Sequence, residues 1–236
     1  MRPTILVPTY NERDNMPLLI PEIFRVVPDV RIVVVDDNSP DGTGDVVRSL
    51  TAQYPRLSLF SRPRKEGLGA AYKDALRHAL ATQEADPIIL MDADGSHGVQ
   101  YLPQIIAASR AHDLVVGSRY VEGGGIERWE WWRYLLSRLG NVYARFLTGL
   151  SLKDLTSGFV CIRAPSLREV DLSRMEASGY AFQIDLKYRL IAAGARAREV
   201  PIIFQARRGG ESKMSHHIIT EGLRVPLKIF LERLFT

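Results

Sequence analysis

The 236-residue chain has a single cysteine, Cys161, so no intrachain disulfide can form. The setting Phe159-Val160-Cys161-Ile162 reads as a buried strand in which the thiol packs as a small apolar group. A reducing compartment fits. No uninterrupted apolar run is long enough to span a bilayer, and Met1-Arg2-Pro3 runs straight into a strand and a polar turn, so no signal peptide is expected. Membrane association, if present, is expected to be peripheral or helped by an anchoring partner subunit. Internal repeats and low-complexity linkers are also missing. What remains is an ordinary globular composition, 46% hydrophobic and 25% charged, enough for one core with an appendage. The net charge of +4 and an isoelectric point near 9.3 favour anionic partners. Basic residues are interspersed with acidic ones rather than gathered into a groove, which argues against nucleic acid.

Short apolar runs alternate with helix-patterned segments through the first half. Strands are expected at Ile5–Val7, Ile32–Val35, Leu57–Phe60, Ile88–Met91 and Leu114–Val116. Helices are expected at Asp14–Val27, Asp41–Gln53, Leu68–Leu80 and Tyr101–Arg110. Strands apolar throughout and separated by helices are buried on both faces, which predicts an α/β fold with a doubly wound, mostly parallel sheet. Further on, helices are expected near Trp129–Leu147 and Phe182–Ala193, a strand near Val200–Phe204, and an apolar-periodic helical tail from His216 to Phe235. Pro226 should kink that tail or mark its first turn. The chain divides into a catalytic unit over 1–215 and an interfacial helix over 216–236.

Ligands of such sheets bind beyond the carboxyl ends of the strands. Those ends are strongly polar: Pro8-Thr9-Tyr10-Asn11-Glu12, Asp36-Asp37-Asn38-Ser39-Pro40-Asp41-Gly42, Asp92-Ala93-Asp94-Gly95-Ser96-His97 and Gly117-Ser118-Arg119-Tyr120. Asp92 and Asp94, two apart in extended chain, put both carboxylates on one side, a hard-oxygen pair suited to Mg²⁺ or Mn²⁺ with diphosphate oxygens. A lone Asp-x-Asp is as readily a turn; the company of the other strand ends favours the metal. Of the adjacent Asp36 and Asp37, one should face the cleft, and Ser39 or Asp41 should cap the helix that follows. A nicotinamide enzyme would need a glycine-rich first turn, and this one has none; Gly67-Leu68-Gly69 comes only after the third strand, with Arg64 and Lys65 beside it.

Together with Asp154-Leu155-Thr156-Ser157-Gly158-Phe159 and Gly210-Glu211-Ser212-Lys213, these motifs resemble those of dolichol-phosphate (polyprenol-phosphate) mannosyltransferases, within family 2 glycosyltransferases of the GT-A fold. The resemblance covers nearly the whole chain. It implies a nucleoside held by Pro8, Tyr10, Glu12 and Asp37, with Asp92 near the ribose or metal and Asp94 as the main metal ligand. Ala93, Lys213 and Ser96 or His97 would complete the donor site. Arg119, Arg133 and Ser137 would meet the acceptor phosphate, and Arg207, or its neighbour Arg208, would reach the donor diphosphate. Asp94, Arg119 and Arg207 are then the catalytic set, GDP-mannose the donor, and polyprenyl or dolichyl phosphate the acceptor. UDP-glucose or another nucleotide sugar, or a non-catalytic nucleotide-sugar-binding scaffold, stand as alternatives.

A phosphate monoester with a second pKa of about 6 is already ionised at neutral pH, so no dedicated base is needed and a single inverting displacement is expected. Arg138 is a further cation for the acceptor. Trp129, Trp131, Trp132 and Tyr134 mixed with arginines, and Ile219, Leu223, Leu227, Phe230 and Leu234 at helical spacing, predict an amphipathic platform on the cytoplasmic side of a membrane.

Overall fold

The computed structural model describes residues 2–82, 84–175, 179, 181–205 and 216–235. β1 (Arg2–Thr9), α1 (Met16–Val26), β2 (Arg31–Asp36), α2 (Thr43–Thr51), β3 (Leu57–Ser61), α3 (Leu68–Ala81) and β4 (Ala85–Leu90) alternate as the apolar runs predicted. A 3-10 turn at Val99–Tyr101 precedes α4 (Leu102–Ala108) and β5 (Leu114–Ser118). Then follow β6 (Gly125–Ile126), α5 (Trp131–Thr148), β7 (Val160–Ile162), α6 (Ala164–Arg168), α7 (Ala181–Ala192), β8 (Ala197–Pro201), β9 (Ile203–Phe204) and α8 (His216–Leu234).

The main sheet has seven strands in the order β3-β2-β1-β4-β7-β5-β8. All pairings are parallel except those of β7, which runs antiparallel between β4 and β5 and brings Cys161 into the sheet centre. Successive side chains of one strand feed opposite faces. Leu6, Val33, Val35, Ile88 and Leu90 pack with α3, α6 and α7, whereas Ile5, Val7, Ile32, Val34 and Ile89 pack with α1 and α4. A sheet buried on both faces has no solvent-facing side, so its open C-terminal edge is where polar chemistry gathers.

Three local expectations are corrected, and one pair of alternatives is narrowed. The run Val200–Phe204 is two strands: β8 ends at Pro201, and β9 leaves the sheet to pair with β6, drawn from the glycine loop. The aromatic helix starts at Trp131, two residues later than its composition suggested. Neither Ser39 nor Asp41 occupies the cap of α2; Gly42, at φ 86°, does, while Asp41 Oδ1 accepts the Thr43 N–H from one residue further out. Of the two readings of Pro226, the first-turn one is excluded, since the residue lies within α8, well past that turn.

α8 packs against α5 and α7. Tyr143 Oη donates to the Leu223 carbonyl at 3.0 Å, Arg233 to the Leu147 carbonyl at 3.0 Å, and Ile229 enters the core. No helix among the described residues is long and apolar enough to cross a membrane.

Candidate active site

The loops after β1 and β2 are stitched into one surface. Backbone N–H groups of Asn11, Glu12 and Arg13 donate to Ser39 Oγ, Thr43 Oγ1 and Asp41 Oδ2 at 3.0, 3.0 and 3.1 Å. Asn11, at φ 59°, makes the left-handed turn that aims these donors. Glu12 accepts from Asn15 Nδ2 at 2.6 Å, and Lys65 Nζ sits 3.8 Å from the Tyr10 ring centroid. Pro8, at the end of β1, is half-buried.

Asp36 and Asp37 point apart, as neighbours on a strand must. Asp36 accepts from Thr9 Oγ1 and the Ser39 N–H, both at 3.0 Å, and so holds the loop. Asp37 faces Arg62, a buried guanidinium that also meets Glu66 and Asp74 at 2.9 Å each. Burial raises the Asp37 pKa, and the Arg62 charge and hydrogen bond offset only part of that rise. Arg62 had no sequence signal: one arginine after a strand does not announce three carboxylate partners.

Beyond β4, the Asp92 N–H donates to His97 Nδ1 at 3.0 Å, Tyr72 Oη donates to Asp92 Oδ1 at 3.0 Å, and the Ser96 N–H donates to Asp94 Oδ1 at 3.0 Å. The 94–96 segment is therefore a tight turn through Gly95, at φ 75°, and Asp94 contributes one carboxylate oxygen to it. Burial lowers the His97 pKa against the pull of Asp92 and Asp94, so the ring is neutral, with Nδ1 as acceptor. Ala93 is buried beside this turn, and Ser96 Oγ is buried with no hydrogen-bond partner among the described residues. No group of three or more His, Cys, Asp or Glu that could hold a metal occurs among the described residues.

After β5 the dominant feature is a buried ion pair. Arg119 engages Asp154 through its backbone N–H at 3.0 Å and through Nε and Nη2 at 2.7 Å each, and Nη2 also donates to Thr156 Oγ1 at 2.7 Å. Burial would raise Asp154; the charge and hydrogen bonds of Arg119 outweigh it and hold the carboxyl below its usual range. Rings of Tyr120, Trp129 and Phe204 surround the guanidinium at 5.3, 6.0 and 5.4 Å. Phe204 also meets the His97 ring edge-on at 5.8 Å, and the Gln205 N–H donates to the Ser96 carbonyl at 3.2 Å. The β6–β9 pair thus ties the Arg119 side of the cleft to the Asp92–Asp94 side.

Ser137 Oγ accepts from Tyr120 Oη at 2.8 Å, beside Arg119. Arg133, one turn earlier on α5, pairs with Glu130 at 3.4 Å and lies over the Trp132 ring at 5.4 Å. Arg207 and Lys213, with Arg208, lie outside the described residues.

One buried residue escaped the sequence reading altogether. Lys187 on α7 is fully buried, and its Nζ donates to the carbonyls of Leu155 and Ser157 at 3.0 and 2.7 Å. It braces the turn that carries Asp154, and burial depresses its pKa to about 7. Its partners are thirty residues away in sequence, beyond any local pattern.

Polar strand ends converging on one edge of a doubly wound sheet, with an Asp-x-Asp turn at the end of the central β4, define a sugar transferase of the GT-A kind. The glycosyl transferase family 2 model matches residues 4–171. The chain belongs to that family and is a glycosyltransferase. It is 43% identical to an undecaprenyl-phosphate mannosyltransferase of Micrococcus luteus, over 94% of this chain and 91% of that one. It is 42% identical to a polyprenol monophosphomannose synthase of Mycolicibacterium smegmatis, over 94% of this chain and 86% of that one. Among solved structures, glucosyl-3-phosphoglycerate synthase of Mycobacterium tuberculosis with phosphoglyceric acid superposes with TM-score 0.68 at 17% identity, covering 98% of this chain and 79% of that one. The same enzyme with Mn²⁺, UDP-glucose and phosphoglyceric acid gives 0.67 at 19%, covering 95% and 79%. At that identity the likeness concerns fold alone.

Proposed function

We propose that the chain transfers mannose from GDP-mannose to the phosphate of a polyprenyl lipid, with inversion at the anomeric carbon. The observation that carries this reading is identity above 40%, over nearly the full length, to two enzymes named for polyprenyl-phosphate mannose synthesis. The nucleoside is assigned to the surface built by Pro8, Tyr10, Glu12 and Asp37. The diphosphate is assigned to the turn of Asp92, Ala93, Asp94 and Ser96, with Arg207 and Lys213 as further partners.

Asp92 and Asp94 suit a divalent cation, Mg²⁺ or Mn²⁺. Both donors are hard carboxylates, and among the described residues Ser96 Oγ beside them lacks a partner and too few other acids are near for an all-protein cage, so substrate oxygens and water would complete the shell. Bound there, the cation would stabilise charge developing on the departing diphosphate by several kcal/mol.

The protein's own part is positioning. Asp154 fixes the Arg119 fork in a nest of aromatic rings, presenting an oriented donor rather than a swinging cation. Arg133 and Ser137 complete the acceptor-phosphate set. No general base is required, because the phosphate arrives ionised.

The lipid would be met by exposed apolar residues on two packed helices. Trp131, Leu135, Leu139, Val142 and Phe146 recur along α5, and Leu223, Leu227, Leu231 and Leu234 along α8. Core contacts of α8 run through Ile229, so the leucines left outside support an interfacial role for residues 216–236; the cytoplasmic face is the side proposed for it.

The test offers GDP-mannose, UDP-glucose and other nucleotide sugars with a short polyprenyl phosphate, and identifies the lipid product by mass spectrometry. Hexosyl transfer from GDP-mannose alone is expected. Chelation should abolish it, Mg²⁺ or Mn²⁺ should restore it, and Asp94→Asn should lower it at least about a hundredfold. Preference for another donor would overturn the substrate assignment.

A further inference from the structure

A cavity of about 330 Å³ opens between α5 and the segment from Arg119 to Gly124. Arg119, Arg138, Arg145 and Lys153 line it, with Tyr120 and Tyr134, and no aspartate or glutamate does. Arg119 is paired with Asp154, and nearby Arg133 with Glu130. Among the described residues Arg138, Arg145 and Lys153 are not. Arg138 donates only to Tyr134 Oη at 3.2 Å, Arg145 Nε is shut from solvent without a partner, and Lys153 Nζ makes no bond. Like charges sharing one concavity repel, and a buried unsatisfied N–H costs stability, unless an anion enters.

The cavity's two ends point to its ligand. At the inner end, Asn141 donates to Thr156 Oγ1 at 3.1 Å, and that hydroxyl accepts from Arg119 at 2.7 Å, so the cavity floor is continuous with the transfer site. At the outer end Val142, more than half exposed, belongs both to the cavity wall and to the apolar stripe of α5. Arg138 and Arg145 are seven residues apart and so share this helix face. A phosphate bound here would leave its attached hydrocarbon beside the stripe.

We infer that the cavity is a second phosphate site built on Arg138, Arg145 and Lys153, loaded from the membrane side and opening at Arg119 onto the transfer site. Its ligand is a lipid-borne phosphate. The source is either the polyprenyl phosphate held on its way to transfer or an anionic phospholipid that seats the enzyme. The inference rests on the lipid-phosphate reading of the acceptor.

The test is Arg145→Gln/Lys153→Gln. Arg110→Gln/Arg168→Gln serves as control, removing the same charge from exposed residues of other elements. Each protein is assayed with GDP-mannose and polyprenyl phosphate in phosphatidylcholine vesicles with or without phosphatidylglycerol, and vesicle binding is followed separately by sedimentation. Circular dichroism verifies folding. If the acceptor occupies the cavity, its KM rises about tenfold with kcat little changed, the loss expected for a charge-assisted hydrogen bond. If a phospholipid does, the KM in phosphatidylcholine holds and the gain in binding from phosphatidylglycerol disappears. Wild-type behaviour on both measures, or an equal loss in the control, overturns the inference. A wild-type enzyme that transfers nothing to polyprenyl phosphate would instead sink the functional reading, and sedimentation would still judge the cavity.

Discussion

Arg119 and Asp154 exchange three hydrogen bonds out of water, so removing either side chain leaves the other charged and buried without its counter-charge. Asp154→Asn should cost about 3–5 kcal/mol in urea unfolding and lower kcat/KM as the guanidinium loses its orientation. Lys187 sets a pH dependence. The unfolded chain keeps a proton on this amine up to its ordinary value of 10.5, and the folded chain releases it near 7. Between those values unfolding takes up a proton, so the Lys187 contribution to stability rises with pH. Wild type should therefore gain on Lys187→Met between pH 7 and 9 in paired urea titrations; a constant difference would contradict the buried, depressed amine. Neither group could be assigned from sequence. Asp154 stood in a recognised motif without a role, since only the fold brings its turn under Arg119, and Lys187 acts on carbonyls that no spacing reveals.

At the scale of elements, helices α5 and α8 each carry more apolar surface than their core contacts use. Leu139→Glu with Leu227→Glu should leave the unfolding midpoint nearly unchanged, both side chains being exposed, yet cut flotation with anionic liposomes at least about tenfold. Unchanged flotation would remove the membrane from the functional reading. The glycine loop has a steric role: a Cβ at Gly124 would lie 2.6 Å from the Ser118 carbonyl oxygen. Gly124→Ala should therefore destabilise by about 1–3 kcal/mol and weaken acceptor use, as Tyr120 and the β6–β9 pair shift. The sequence revealed the apolar repeat of α8 but not its orientation. Val225 and Ile229 face the core while Leu231, absent from the expected repeat, joins the exposed leucines. The two-residue strands β6 and β9 are too short to display a period.

Across the whole molecule, the inner parallel strands β1, β2, β4 and β5 were legible because burial on both faces gives each an apolar run ending at a polar turn, whereas the edge strand β8, with Arg198 and Glu199 in it, was not. The antiparallel insertion of β7 was not, since strand direction leaves no mark on three apolar residues. The polar ends were visible for the same reason as the strands, but their internal pairings were not. Asp36 serves the loop, Asp37 answers to Arg62, and Asp94 shares an oxygen with its own turn. The proposed mechanism, which works through oriented arginines and needs no base, makes a sharp demand on the acceptor: it must bring an ionised oxygen. The most direct measurement offers labelled GDP-mannose with polyprenyl phosphate and, separately, the matching polyprenol, across pH 5 to 8. Label should enter the phosphate acceptor alone, with a rate that falls below a pH of about 6 as the second ionisation is lost. Transfer to the alcohol at a similar rate would contradict it.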